Sequence, residues 1–174
     1  MNPREILRRR AKLLAERRSQ AQASPDTPML VFALGSERYG LPLRDVAEAR
    51  PFSQCAPLPG APKELLGVMN IRGDVFSVAE LAALLCLAPA AERAPGFVLV
   101  LRKGERVGFR VDSVIDIRPV VADQLTPMPQ AQAETLTPYL KGLAPDQTMI
   151  LDPDALLGHA ALGGLATDAR PEGV

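Results

Sequence analysis

The chain repeats itself, and that limits what it can fold into. Displaced by 68 positions, Glu37-Arg38-Tyr39-Gly40-Leu41-Pro42-Leu43-Arg44-Asp45-Val46-Ala47-Glu48-Ala49-Arg50 falls on the run from Glu105 to Arg118. Glu, Arg, Gly, Val and the final Arg are identical, and Leu41/Phe109, Leu43/Val111 and Glu48/Asp116 are conservative pairs. Upstream, VFAL at 31–34 answers VLVL at 98–101. Downstream, LLGV at 65–68 answers LKGL at 140–143, and each leads to a short apolar strand and a helix start. Hairpins share turn chemistry by chance, but four elements agreeing in order point to duplication over roughly 30–86 and 97–158. A unit of about 60 residues with short strands suits a small closed or partly closed barrel. Two packed barrels leave a groove between them, a natural partner site.

The local pattern agrees. MLVFAL, a turn at Gly35-Ser36-Glu37-Arg38 and YGLPL read as a hairpin. LLGVMNI and DVFSVAEL flank Arg72-Gly73 as a second pair. FVLVL and RVGFRV flank Arg102-Lys103-Gly104-Glu105 as a third. Ala79–Leu85 reads as a short helix, residues 120–138 as irregular, Met149–Leu151 as a strand, and Pro153 as the start of a small helix. Before the barrels, Arg4 to Gln20 has Ile6, Leu7, Leu13 and Leu14 at helical spacing on a basic background. Residues 1–20 hold seven basic side chains against two acidic, so the remainder carries 13 against 18. Charge is therefore segregated in a chain of zero net charge. Domain boundaries follow: a basic helical extension and linker at 1–24, the strand-rich domain at 27–160, and a small polar tail at 161–174.

Zero net charge, 4% aromatics and no Trp argue against a nucleic-acid binder. No run approaches the roughly 18 apolar residues of a membrane span, and the N-terminus lacks a signal-peptide core, so direct membrane insertion is not expected and the cytoplasm is. Cys55 and Cys86 have neither CxxC spacing nor an adjacent His and read as passive thiols. His159, the one histidine, lacks the polar support of a phosphoacceptor. Glu48, Asp74, Asp112 and Asp116 show no metal-ligand spacing, and no phosphate loop is present, so no cofactor is expected.

Three stretches resemble the CheW-type chemotaxis coupling proteins: residues 30–50, residues 64–85 and Tyr139 to Leu157. The most specific element is Gly67-Val68-Met69-Asn70-Ile71-Arg72-Gly73, and the resemblance covers about 29–158. It implies a mostly β fold: two SH3-like five-stranded β-barrels packed together, here with the basic N-terminal helix and a short C-terminal helix. It implies a non-catalytic adaptor joining the cytoplasmic tips of methyl-accepting chemoreceptors to a CheA-type histidine kinase. Carried over position by position, Glu48 and Arg72 are an opposed pair beside the receptor groove. Val46, Gly67, Asn70 and Ile117 fall at receptor-contact positions, and Leu41 and Leu43 near the kinase contact. Asp74 stands where the family is usually apolar, Ser77 replaces a common Pro, and Glu80-Leu81-Ala82 replaces the usual Asp-Leu-Arg. The basic extension lies outside the resemblance. Three other readings stand beside this one: an adaptor of a non-flagellar chemosensory pathway (pili, biofilm, development), a small β-barrel enzyme using Asp or Glu in a deep carboxylate-lined pocket, and a binder of nucleic acid or an anionic surface through the basic helix, with steep salt dependence.

Overall fold

The computed structural model describes residues 26–88, 95–104, 106–128, 136–159 and 162. The expected N-terminal helix, the tail from 163 and Glu105 lie outside the described residues. Ten strands follow in order: β1 Thr27–Leu34, β2 Glu37–Pro42, β3 Val46–Pro51, β4 Leu65–Ile71, β5 Asp74–Glu80, β6 Phe97–Leu101, β7 Val107–Val111, β8 Ser113–Val120, β9 Leu140–Leu143 and β10 Met149–Leu151. Two short helices, α1 Leu81–Leu84 and α2 Pro153–Leu157, follow β5 and β10. The Asp152 side chain caps α2 by accepting from Asp154 N–H at 3.0 Å.

The strands form two five-stranded sheets, ordered β8-β1-β2-β10-β9 and β3-β6-β7-β5-β4. Advancing each strand number by five, and counting round from ten to one, converts one order into the other. The pairings match too: hairpins β1–β2 and β6–β7 are antiparallel, and β10–β2 and β5–β7 are parallel. Yet neither sheet is built from one half of the sequence. The hairpin of the first half joins β8, β9 and β10 of the second, while β6–β7 joins β3, β4 and β5. The expectation that 30–86 and 97–158 each close their own barrel is therefore corrected. The chain crosses at 43–45 and again at Asp112, so the two copies exchange strands.

Both sheets curl into SH3-like barrels. β3 and β4 are opposite edges of the second sheet, yet Glu48 on β3 meets Arg72 at the β4–β5 turn, Nε to Oε2 3.3 Å. β8 and β9 are the edges of the first, and Arg118 on β8 meets Asp146 beyond β9 at 3.0 Å. One apolar core lies between the barrels, with Leu30, Phe32, Tyr39 and Leu41 from one and Leu99, Leu101, Phe109 and Val111 from the other. Strand alternation sends Val98 and Val100 to a smaller cluster on the opposite face of their sheet, and Met29 and Ile150 to its counterpart.

Several local expectations change. The first turn is only Gly35-Ser36, since Glu37 and Arg38 already pair in β2. The helix after β5 is shorter than Ala79–Leu85. Residues 113–119, not assigned from sequence, and Val120, expected to be irregular, form the long strand β8 because β1 offers them a full antiparallel partner.

Candidate functional site

Barrel 2, the β3-β6-β7-β5-β4 sheet, carries the most specific motif at its seam. Arg72 and Gly73 have φ of 55° and 95°, both positive as a tight two-residue hairpin requires. Asn70 Oδ1 accepts from Gly73 N–H at 2.9 Å and holds the turn. This puts the Arg72 guanidinium, 78% exposed, over Glu48, whose carboxylate also lies 4.0 Å from Arg50. An exposed pair of this kind adds only about 0–1 kcal/mol, so its value is in fixing where Arg72 points. Asp74 meets Arg106 at 3.1 Å beside it, which accounts for an acidic residue at a position usually apolar in the family.

The hairpin that carries this motif is longer than its copy. Val68 pairs with Ser77, and Leu143 with Met149, at equivalent places in the two barrels. Between these pairs β4–β5 has three residues more than β9–β10, so Asn70 to Val75 overhang the barrel.

The seam of barrel 1 repeats the arrangement with charges inverted. Arg118 takes the place of Arg50 and bonds Asp116 through Nε at 2.7 Å and Asp146 at 3.0 Å. Barrel 2 thus has a carboxylate between two cations, and barrel 1 a cation between two carboxylates. Burial opposes ionisation of Asp146, but hydrogen bonds from Thr148 and the Arg118 charge outweigh it and hold its pKa below the usual value. Arg118 is raised above its usual value, chiefly by its hydrogen bond to Asp116.

The remaining candidates divide by accessibility. Ile117 on β8 is 56% exposed and Ile115 is 41% exposed. Leu43 is half-buried in the crossing between barrels, near Pro28 and Arg102. Val46 is buried in the shared core, and Leu41 is fully buried. In this fold both therefore present little or no side-chain surface to a partner. Gly67 is buried as well. At φ 137° a Cβ there would meet the Ala56 carbonyl oxygen, because Ala56 and Val68 exchange two 2.8 Å backbone hydrogen bonds across it. The space beside Gly67 is filled by the chain's own residues 56–57, not left for a receptor helix. At its copy Gly142, φ 154°, a Cβ would meet Leu125 Cβ and Thr126 O at 3.1 Å, a looser contact. The glycine is architectural in both halves.

Sequence reasoning passed over a buried charge cluster. Arg110 and Glu80 pair at 3.0 and 3.2 Å with side chains 4% and 7% exposed. Arg110 reaches Asp112 at 3.3 Å and lies 5.6 Å above the Phe52 ring, while Asp112 Oδ2 accepts from Gly35 N–H at 2.7 Å. The signal was Glu80, a family departure one residue before α1. These groups floor an open cleft of about 620 Å³, also lined by Glu37 and Lys63. Its carboxylates are committed: Glu80 and Asp112 to Arg110, and Glu37 to the Tyr39 hydroxyl at 2.6 Å. Among the described residues, no group of His, Cys, Asp or Glu is placed to hold a metal ion, and no helix is long and apolar enough to cross a membrane.

Two small barrels with exchanged strands and exposed charged seams define a class of paired-barrel β-protein. Residues 28–161 match the CheW-like domain family, and the chain belongs to it. Chemotaxis protein CheW of Klebsiella aerogenes is 33% identical over 115 residues, 66% of this chain and 69% of that one. Probable chemotaxis protein CheW of Rhizobium etli is 31% identical over 127 residues, 72% and 82% of the two chains. Protein FrzA of Myxococcus xanthus is 32% identical over 114 residues, 64% and 71%. The fold matches the crystal structure of the scaffolding protein TtCheW from Thermoanaerobacter tengcongensis, TM-score 0.68 at 23% identity, covering 78% of this chain and 95% of that one.

Proposed function

We propose that the protein is a non-catalytic cytoplasmic adaptor coupling methyl-accepting chemoreceptor tips to a CheA-type histidine kinase. The match of residues 28–161 to the CheW-like domain carries this reading. The receptor face is the pair of seams. Arg72, aimed by Glu48 and by the Asn70-capped turn, and exposed Ile117 are its direct contacts. Val46 and Gly67 act beneath it by holding β3 and β4 in place. On the kinase side Leu43 is the reachable residue, and Leu41 supports it from the core. Individual contacts of this size are weak, and tethering in a receptor lattice raises effective concentration enough to compensate. The test is titration of a chemoreceptor cytoplasmic fragment and of the kinase regulatory domain, with kinase activity read in the ternary mixture. Arg72→Ala should weaken receptor binding with an unchanged CD spectrum. Receptor affinity equal to the unsubstituted protein would sink the assignment. A second reading, an adaptor of a non-flagellar chemosensory pathway, is supported by the likeness to FrzA, and the receptor that binds in such titrations decides between them.

A further inference from the structure

The bulged edge strands β3 and β8 are copies of each other, and they differ where they face solvent. In β3 the register skips Ala47, between Val46↔Leu101 and Glu48↔Val100. In β8 it skips Ile115, between Phe32↔Val114 and Val31↔Asp116. The corresponding runs are Ala47-Glu48-Ala49, with Glu48 half-buried between exposed alanines, and Ile115-Asp116-Ile117, all three exposed. An exposed alanine needs no explanation. Two exposed isoleucines on an edge strand form an apolar ridge that water solvates poorly and that invites a cover. The ridge is flanked by Asp116 and Asp146, two carboxylates against the single charge of Arg118.

The same chain holds a segment of complementary chemistry. Residues 4–20 carry Ile6, Leu7, Leu13 and Leu14 among seven cations and two anions, and the rest of the chain is acidic by five charges. The described chain begins at Asp26, and Thr27 pairs with Val120 at the end of β8. The segment therefore leaves the barrel beside the ridge. Leu30 pairs with Ile117, so that isoleucine lies three strand positions back, about 10 Å. Residues 21–25 span up to roughly 17 Å when extended, enough to turn back over it.

We infer that residues 4–20 dock in cis on the Ile115-Asp116-Ile117 ridge. Their leucines cover the isoleucines and their arginines face Asp116 and Asp146. A tether this short makes the contact intramolecular, so a weak interaction suffices. Salt should loosen it, because its charges are exposed. If Ile117 is a receptor contact, as proposed above, the segment masks it, and a receptor tip must displace the segment to bind.

The chain has only five isoleucines, Ile6, Ile71, Ile115, Ile117 and Ile150, so isoleucine-methyl NMR of the full-length protein resolves the question. The double substitution Leu13→Asp/Leu14→Asp should move the Ile115 and Ile117 methyl resonances and leave Ile71 and Ile150 in place. Half-molar salt added to the unsubstituted protein should move the same two signals in the same direction. Unmoved Ile115 and Ile117 overturn the docking, as does a shift that includes Ile71 and Ile150. Vesicles of anionic lipid that bind the unsubstituted chain through Leu13 and Leu14, with no methyl shift in the substituted one, would assign the segment to a membrane surface instead. With a receptor fragment, release should raise affinity roughly three- to tenfold. Methyl shifts without that gain would leave the docking in place but refute the masking, and would count against Ile117 as a receptor contact.

Discussion

Replacing Gly67 by alanine separates an architectural glycine from a contact glycine. The new Cβ would sit far inside van der Waals contact with the Ala56 carbonyl oxygen and 2.8 Å from its carbon, and this neighbour is backbone that cannot rotate away. The segment must retreat, breaking Ala56 N–H to Val68 O and Val68 N–H to Ala56 O. Two backbone hydrogen bonds at about 1 kcal/mol each, with about 1 kcal/mol more for a side chain at φ 137°, give a loss of about 3 kcal/mol. That is a large share of a typical folding free energy, and it corresponds to a fall in Tm of roughly 6–12 °C. Gly142→Ala meets only 3.1 Å contacts with Leu125 and Thr126, so about half that loss is expected. Urea unfolding followed by CD measures both. A Gly67→Ala protein of unchanged stability that no longer binds receptor would refute the reasoning and return Gly67 to the interface.

Val46→Ala should cost about 2 kcal/mol and Leu41→Ala about 3 kcal/mol, because both are core positions; urea midpoints near the unsubstituted value would show that they face outward. Glu80→Ala should destabilise by up to about 3 kcal/mol, because it removes the nearest carboxylate from buried Arg110 and leaves its charge to Asp112 at 3.3 Å, whereas Glu80→Leu/Arg110→Met should recover most of the loss. Equal loss in both, by thermal unfolding, would make the ion pair itself the stabilising element. The folded-state pKa of Asp146 lies below its unfolded value, so its contribution is present above about pH 4 and disappears as pH falls through the depressed value. Asp146→Asn should therefore flatten the decline of stability as pH falls below about 4, and an unchanged slope would place the acid sensitivity elsewhere.

FVLVL announced a strand as an apolar run buried on both faces, and LLGVMNI as one in which Leu65, Gly67, Met69 and Ile71 alternate inward. Turns at Gly35-Ser36 and Arg72-Gly73 announced hairpins because only those backbone angles close them. The Glu48–Arg72 pair was legible through resemblance alone, since it joins strands at opposite edges of a sheet. The exchange of strands was not legible. Periodicity says which residues are extended but not which strand lies alongside, and either copy's hairpin satisfies the same pattern. The packing at Gly67 was not legible for a similar reason: what fills the space beside it is Ala56, and no local signal reports that approach. Arg110 sits in Val107–Val111 where alternation and charge would put it outside, but Glu80 on the parallel neighbour draws it in.

The exchange also dictates an order of assembly during synthesis. Barrel 2 draws on one continuous stretch, β3 to β7, and can close once Val111 has been made. Barrel 1 cannot. Its hairpin β1–β2 comes first from the ribosome, but its partners β8, β9 and β10 come last. At ordinary elongation rates of about 5–20 residues per second, the hairpin waits several seconds with its strand edges unpaired. Its apolar face can rest on the nascent barrel 2, because Leu30, Phe32 and Leu41 share that core. Its edges have no such shelter.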